Sequence, residues 1–253
     1  MIDIHAHILP GIDDGAEDIY ETLEMAKMAA DSGVTAIVAT PHCNIPGMFD
    51  NYFGKQYIER YQMAKDAIAK EGIPIKLLPG MEVFATENLP EQISSKKIMQ
   101  LNQSRYILVE FPFHAEPGFA FSILKRMKEI GAIPVVAHAE RYHFVQDNPH
   151  YCYQWRKRGY AVQVNKGSFE GRFGKTARKT AYRMLSHNMI SAVASDAHSY
   201  QQRTPYLKDV FEKLSAERSQ KYMDVLFRQN PARICGNKPL LKIEPIPFSK
   251  YEL

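Results

Sequence analysis

The sequence predicts an α/β protein built on a parallel sheet, either closed into a barrel or left open and doubly wound. Short β-rich runs alternate with amphipathic helical ones along the whole chain. Most of these runs are continuously apolar rather than alternating, as parallel strands buried on both faces are. No internal repeat or low-complexity linker divides the series, so it reads as one domain.

The first strand is IDI at 2–4, leading to the helical segment IYETLEMAKMAADSG, with Ile19, Leu23, Ala26 and Ala30 on one face and Gly33 as its stop. VTAIVAT at 34–40 is the second strand, and KQYIERYQMAKDAIAKEG the next helix. IPIKLLPG at 73–80 and RYILVEF at 105–111 follow, then a helix ending at Gly131. IPVVAH at 133–138, a helix ending at Gly159, AVQVN at 161–165, a helix over 174–188 and ISAVASD at 190–196 complete seven strands. Two helical runs then cover about 205–229, and NPARICGNKPLL and EPIPFSKYEL read as a terminal turn and tail.

Composition narrows the class. With 253 residues, 45% hydrophobic and 24% charged, the chain can bury a sizeable core. No run approaches the ~20 apolar residues of a membrane span, and the start lacks a signal pattern, which points to the cytoplasm. Cys43, Cys152 and Cys235 form no CxxC pair, arguing for a reducing compartment and against a disulfide framework. The net charge of +4 is too mild for a nucleic-acid binder. Basic residues do cluster, in WRKR at 155–158 and at Lys166, Arg172, Lys175, Arg178, Lys179 and Arg183. They read as a solvated helix face or as an approach surface for an acidic substrate.

Polar residues at strand ends carry the functional signal. His5 and His7 end the first strand, His42 follows AIVATP, Glu82 follows LLPGM, and Glu110 ends YILVE. His138 ends PVVAH, and Asp196 and His198 end AVASDAH. Six of the seven strands thus run into His, Asp or Glu at the edge where α/β barrels and open sheets place active sites. HAH sets two imidazoles on alternate residues, which on an extended segment point the same way. Imidazoles with carboxylates and no thiolate suit Mn²⁺, Fe²⁺ or Zn²⁺. With Asp13 or Asp14 added, the pool is too large for one ion. It suffices for two or three ions sharing a bridging carboxylate and hydroxide, an arrangement that clamps both oxygens of an in-line phosphoryl displacement. Arg141 and Arg203, three and five residues beyond His138 and His198, carry the side chain shaped to hold phosphate.

IDIHAHILPGIDDG, ATPH, PGME, VEFPF, AHAERY and ASDAH, in this order and spacing, resemble the motifs of the PHP (polymerase and histidinol phosphatase) superfamily. More closely they resemble the manganese-dependent protein-tyrosine phosphatases of bacterial capsule and exopolysaccharide clusters, of the CpsB and YwqE type. LNQSRYILVEFPF, GSFEGRFGK and the NPARI turn extend the resemblance to about residue 236, leaving 237–253 as a C-terminal tail. The resemblance implies a distorted seven-stranded barrel with three Mn²⁺ ions, Fe²⁺ or Zn²⁺ being alternatives. It implies that His5, His7, Glu82 and Asp196 hold one ion, and that Glu82 bridges to a second with Glu110 and His138. Asp14, His42 and His198 hold the third, with Asp13 as the rival to Asp14. Arg141 and Arg203 match the arginines that hold the substrate phosphate. The implied substrate is the phosphorylated tail of a tyrosine kinase, with recruitment to that membrane-bound kinase. The implied reaction is hydroxide attack without a covalent intermediate.

Two enzymatic rivals and one non-catalytic one bear on this reading. Cys152 to Arg158 satisfies the Cys-x5-Arg pattern of cysteine-based phosphatases. The residues between are bulky and lie in a helical segment, where a phosphate-cradling loop needs small ones. The other is a PHP phosphoesterase acting on a small metabolite of the histidinol phosphate type, which the same metals and arginines would serve. A non-catalytic regulator would tend to have lost ligands, and none is missing.

Overall fold

The computed structural model describes residues 1–249. Its strands are β1 (Ile2–Ala6), β2 (Ala36–Ala39), β3 (His42–Cys43), β4 (Lys76–Pro79), β5 (Glu82–Phe84), β6 (Tyr106–Glu110), β7 (Ile133–Val136), β8 (Ala161–Asn165) and β9 (Ala192–Ala194). The seven expected strands are all present. Two of them break and resume: β2 continues past Pro41 as β3, and β4 past Gly80 as β5. Pro41 has no N–H to give a ladder. Gly80 packs so closely that a Cβ there would stand 2.6 Å from Val38 Cγ1.

Every ladder is parallel, in the order β1-β2-β4 and β3-β5-β6-β7-β8-β9. The broken strands join the two sheets on one side. On the other, Asp196 donates its N–H to the His5 carbonyl (2.9 Å) and His7 donates to the Ala197 carbonyl (2.8 Å). The result is a curled, nearly closed barrel, not the open alternative. Ile4, Val38, Leu78, Leu108, Val135, Ala161 and Ala192 belong to one apolar cluster within it, with Leu101 and Ile234 at its lower end. The larger cluster lies between sheet and helices.

The helices are α1 (Ile19–Asp31), α2 (Lys55–Lys70), α3 (Leu89–Ser94), α4 (Pro117–Glu129), α5 (His143–Asp147), α6 (His150–Lys157), α7 (Lys166–Glu170), α8 (Gly174–Ser186), α9 (Lys208–Ser215), α10 (Gln220–Asp224) and α11 (Asn230–Cys235). Asp18 caps α1 by accepting from the Glu21 N–H. The buried face of α1 is Thr22, Met25, Ala26 and Ala29, rotated from the expected stripe. Thr22 turns inward because its hydroxyl donates to the Ile8 carbonyl at 2.8 Å, a contact that apolar periodicity does not register. NPARIC, expected as a turn, is α11, joined to α10 by a π-helical turn at Val225–Gln229. Asn230 holds it by donating to the Ser191 carbonyl and accepting from the Leu241 N–H. Among the described residues no helix is long and apolar enough to cross a membrane.

Candidate metal centre

The C-terminal ends of the strands bring all nine candidate donors together. β1 reaches them through a bulge, its register shifting between Asp3 and Ala6. Ile4 therefore joins the barrel interior, yet His5 and His7 also turn inward. Bulges commonly re-aim side chains in this way beside active sites. His138 (φ 27°) and Asp196 (φ 51°) occupy positive-φ backbone, uncommon outside glycine although Asp and His tolerate it better than most, and often found at functional sites.

The donor atoms form three overlapping sets: His5, His7 and Asp196; His42, Glu82 and Glu110; and His7, Asp14, His42 and His198. In the first, His5 Nε2 and His7 Nε2 lie 3.3 Å apart, and Asp196 Oδ1 lies 3.3 and 3.5 Å from them. Glu82 closes this set, its two oxygens 3.2 Å from His5 and 3.3 Å from His7. Beside the second, His138 Nε2 lies 2.9 Å from Glu82 Oε1 and 3.4 Å from Glu110 Oε1. In the third, Asp14 Oδ1 lies 3.4 Å from both His42 Nε2 and His198 Nε2. His42 also turns Nδ1 to Glu82 at 3.1 Å, so it faces the second set as well as the third.

These spacings fit divalent ions. Donors bound at about 2.0–2.2 Å to one ion stand roughly 3.0–3.5 Å from one another. The pairing is poor without a cation: buried Glu82 Oε2 and His198 Nε2 make no hydrogen bond. Buried polar atoms seldom go unsatisfied unless a bound group completes them.

A surrounding layer orients the donors. Asp13 Oδ2 accepts from His7 Nδ1 at 2.7 Å, turning Nε2 toward the set, and also takes the His42 N–H. Asp13 is thereby occupied, whereas Asp14 faces His42 and His198. Gly15 permits this, because a Cβ there would fall 2.1 Å from the His7 carbonyl oxygen. β8, the one of the seven expected strands that runs into no His, Asp or Glu, supplies Gln163 and Asn165, which the sequence reading missed. Gln163 Oε1 accepts from His5 Nδ1 (3.2 Å) and the His138 N–H (2.8 Å), and its amide donates to Asn165. Asn165 donates in turn to Asp196 Oδ2 at 2.5 Å. Glu140 supports the same strand by accepting from the Asn165 N–H and the Ser168 hydroxyl.

Electrostatics favour a carboxylate-rich cation site. Burial opposes ionisation of Glu82, but His5 and His42 outweigh it and hold the carboxyl well below its usual range. Burial opposes Asp196 likewise, and His5, His7 and Arg203 overcome it. Burial and the neighbouring His7 push His198 down to about 4, leaving a neutral imidazole suited to ligation.

Arg141 and Arg203 stand at the rim. Arg203 reaches Asp196 Oδ2 at 2.5 Å and Arg141 reaches it at 3.7 Å. Rings of Phe113 and Phe173 sandwich the Arg141 guanidinium, 4.3 and 4.2 Å from its central carbon. The basic run does not form one approach surface. Lys166 is buried and donates to Thr204 Oγ1 and the Tyr206 carbonyl, while Arg183 packs on Phe248 at the far end of α8. Trp155 is buried, and Arg156 binds Ser191 below the sheet. Lys175 remains on the rim side, in the first turn of α8.

Cys152 is fully buried in α6, and desolvation pushes its thiol far above the usual range. Arg158 binds the Gln154 carbonyl within its own helix and lies over Phe121. The Cys-x5-Arg match has no phosphate loop behind it.

A buried array of imidazoles and carboxylates at the C-terminal face of a parallel barrel, rimmed by two guanidinium groups, defines a multinuclear metal-dependent hydrolase of the PHP type. The chain belongs to the CpsB/CapC family of capsular polysaccharide synthesis, whose match spans residues 1–236. Tyrosine-protein phosphatase YwqE of Bacillus subtilis (strain 168) is 34% identical over 253 residues, covering 100% of this chain and 98% of its own. Tyrosine-protein phosphatase CpsB of Streptococcus pneumoniae is 30% identical over 239 residues, covering 92% and 98%. A crystal structure from work on these two proteins, described there as unique metal-dependent tyrosine phosphatases, superposes with a TM-score of 0.91. It has 34% identity and covers 99% of this chain and 100% of its own. The phosphotriesterase from Mycobacterium tuberculosis shares the fold alone, at a TM-score of 0.61 and 11% identity.

Proposed function

We propose that this chain is a metal-dependent protein-tyrosine phosphatase, with residues 1–236 as its catalytic unit and 237–253 as a tail. The observation that carries the reading is the convergence of nine donors beneath two rim arginines on one barrel face. His5, His7, Glu82 and Asp196 would hold one ion, Glu82, Glu110 and His138 a second, and Asp14, His42 and His198 a third. Imidazole and carboxylate ligands without thiolate suit Mn²⁺. When bound, the ions supply Lewis acidity and activate water for attack on phosphorus.

The chain's own residues do the rest. Arg141 and Arg203 would take the phosphoryl oxygens in charge-assisted contacts. The Phe113–Phe173 sandwich keeps Arg141 in place, so little reorientation is needed as charge develops. Asp13 and Gln163 hold His7 and His5 as tautomers with Nε2 free. No thiol is placed to act as nucleophile. A tyrosine phenol, with a pKa of about 10, leaves with little help from an acid, whereas a serine alkoxide needs a proton donor. We propose the tyrosine-phosphorylated tail of a bacterial kinase governing capsule or exopolysaccharide synthesis as the substrate, dephosphorylated in the cytoplasm.

The test is turnover with Mn²⁺ supplied. A phosphotyrosine peptide should be hydrolysed much faster than its phosphoserine counterpart or histidinol phosphate. Equal turnover of histidinol phosphate would favour a metabolite phosphatase instead.

A further inference from the structure

Beside the metal centre lies a hollow of about 420 Å³, walled by Phe113 and Phe173 and bordered by Arg141, His143 and Lys175. Arg141 belongs to both places: its guanidinium borders the hollow and also lies 3.7 Å from Asp196 Oδ2. Among the described residues no acidic side chain lines the hollow, so its two permanent cations are not answered from within. A cationic recess opening next to a phosphate site raises the local concentration of anionic groups.

We propose that this hollow is a subsite for an acidic side chain, Asp or Glu, lying next to the phosphotyrosine in a peptide substrate. The inference rests on the tyrosine-phosphatase reading and deepens it. The volume exceeds that of one carboxylate, leaving room for the peptide segment that carries it. The ring faces cover the methylene groups, and Lys175 meets the charge. Because Arg141 is clamped between the rings, it can serve the phosphate on one side and the subsite on the other without moving. The contact forms in the ground state as well as in the transition state, so its effect falls on KM rather than kcat.

The experiment compares two phosphotyrosine peptides, identical except that the residues flanking the phosphotyrosine are Glu in one and Ala in the other. Both are assayed with Mn²⁺-loaded wild type and with Lys175→Glu, whose side chain is exposed and whose fold is therefore safe. Wild type should favour the acidic peptide by roughly two- to fivefold in kcat/KM, through KM, less so at high salt. Lys175→Glu should abolish or invert that preference. Equal kcat/KM for the two peptides in wild type would overturn the subsite while leaving the phosphatase reading standing. An acidic preference that survives Lys175→Glu would also overturn it, since the charge would then be read elsewhere. Turnover of neither peptide would remove the phosphatase reading and the subsite with it.

Discussion

Gln163 Oε1 accepts the Nδ1–H of His5 at 3.2 Å, and through this one contact a neutral amide decides which nitrogen of a candidate ligand faces the metal centre. The same oxygen takes the His138 N–H, so Gln163→Leu leaves two buried donors unpaired. Loss of such a supporting contact typically costs about 10–100-fold in metal affinity. Mn²⁺ binding to the variant should weaken by that order in a competition titration. Unchanged affinity would show that His5 is oriented by something else.

The neighbouring aspartates should separate cleanly. Asp14 is half-exposed and faces His42 and His198, so Asp14→Ala should lower the metal stoichiometry by one ion with little loss of Tm. Asp13 is tied to His7 and to the His42 and Gly15 N–H groups. Asp13→Ala should weaken metal binding and also destabilise the fold, by about 1–3 kcal/mol for the donors left unsatisfied. Metal analysis beside thermal denaturation distinguishes the two variants.

Arg141→Ala and Arg203→Ala should retain their metals and lose catalysis. Removing a charge-assisted contact that strengthens in the transition state costs on the order of 10²–10³ in rate. Metal-depleted arginine variants would instead assign these residues to holding the centre together.

Much of this site is legible in the sequence because its donors stand at strand ends, where apolar runs stop and His, Asp or Glu follow. Gln163 and Asn165 escaped notice because carboxamides carry no metal-ligand signature. A signal was available: Gln163 interrupts an otherwise apolar buried strand, and a buried amide must find partners. The basic run was legible in part: Arg172, Lys175, Arg178 and Lys179 are exposed, as a solvated face would have them. Charge pattern does not reveal direction, however, and Lys166 points inward to tie down the loop bearing Arg203. The breaks at Pro41 and Gly80 were hidden for another reason. A continuous apolar run does not show where the ladder hands over from one sheet to the other.

Through His138, rising pH should cost the metal-free protein stability while leaving the metal-loaded protein little changed. Burial disfavours the His138 charge, but Glu110 and Glu82 outweigh it and raise its pKa to about 10 in the metal-free protein. A raised pKa stabilises fully below the unfolded value near 6.5, and that contribution is lost as pH rises toward 10. Metal needs the imidazole deprotonated, so ion binding strengthens over the same range. The Tm gap between Mn²⁺-loaded and chelated protein should widen as pH rises through this interval. A gap that narrows would contradict the placement of His138 beside an ion.

The most direct test of metal-dependent, thiol-free catalysis is a single titration. Wild type and Cys152→Ser are stripped with chelator, and Mn²⁺ is returned stepwise while hydrolysis of a phosphotyrosine peptide is followed. Both proteins should be inactive when stripped and regain turnover as the ions bind, with kcat of the variant within a few-fold of wild type. Turnover that persists without metal, or a folded Cys152→Ser protein that stays inactive at full metal loading, would contradict the account.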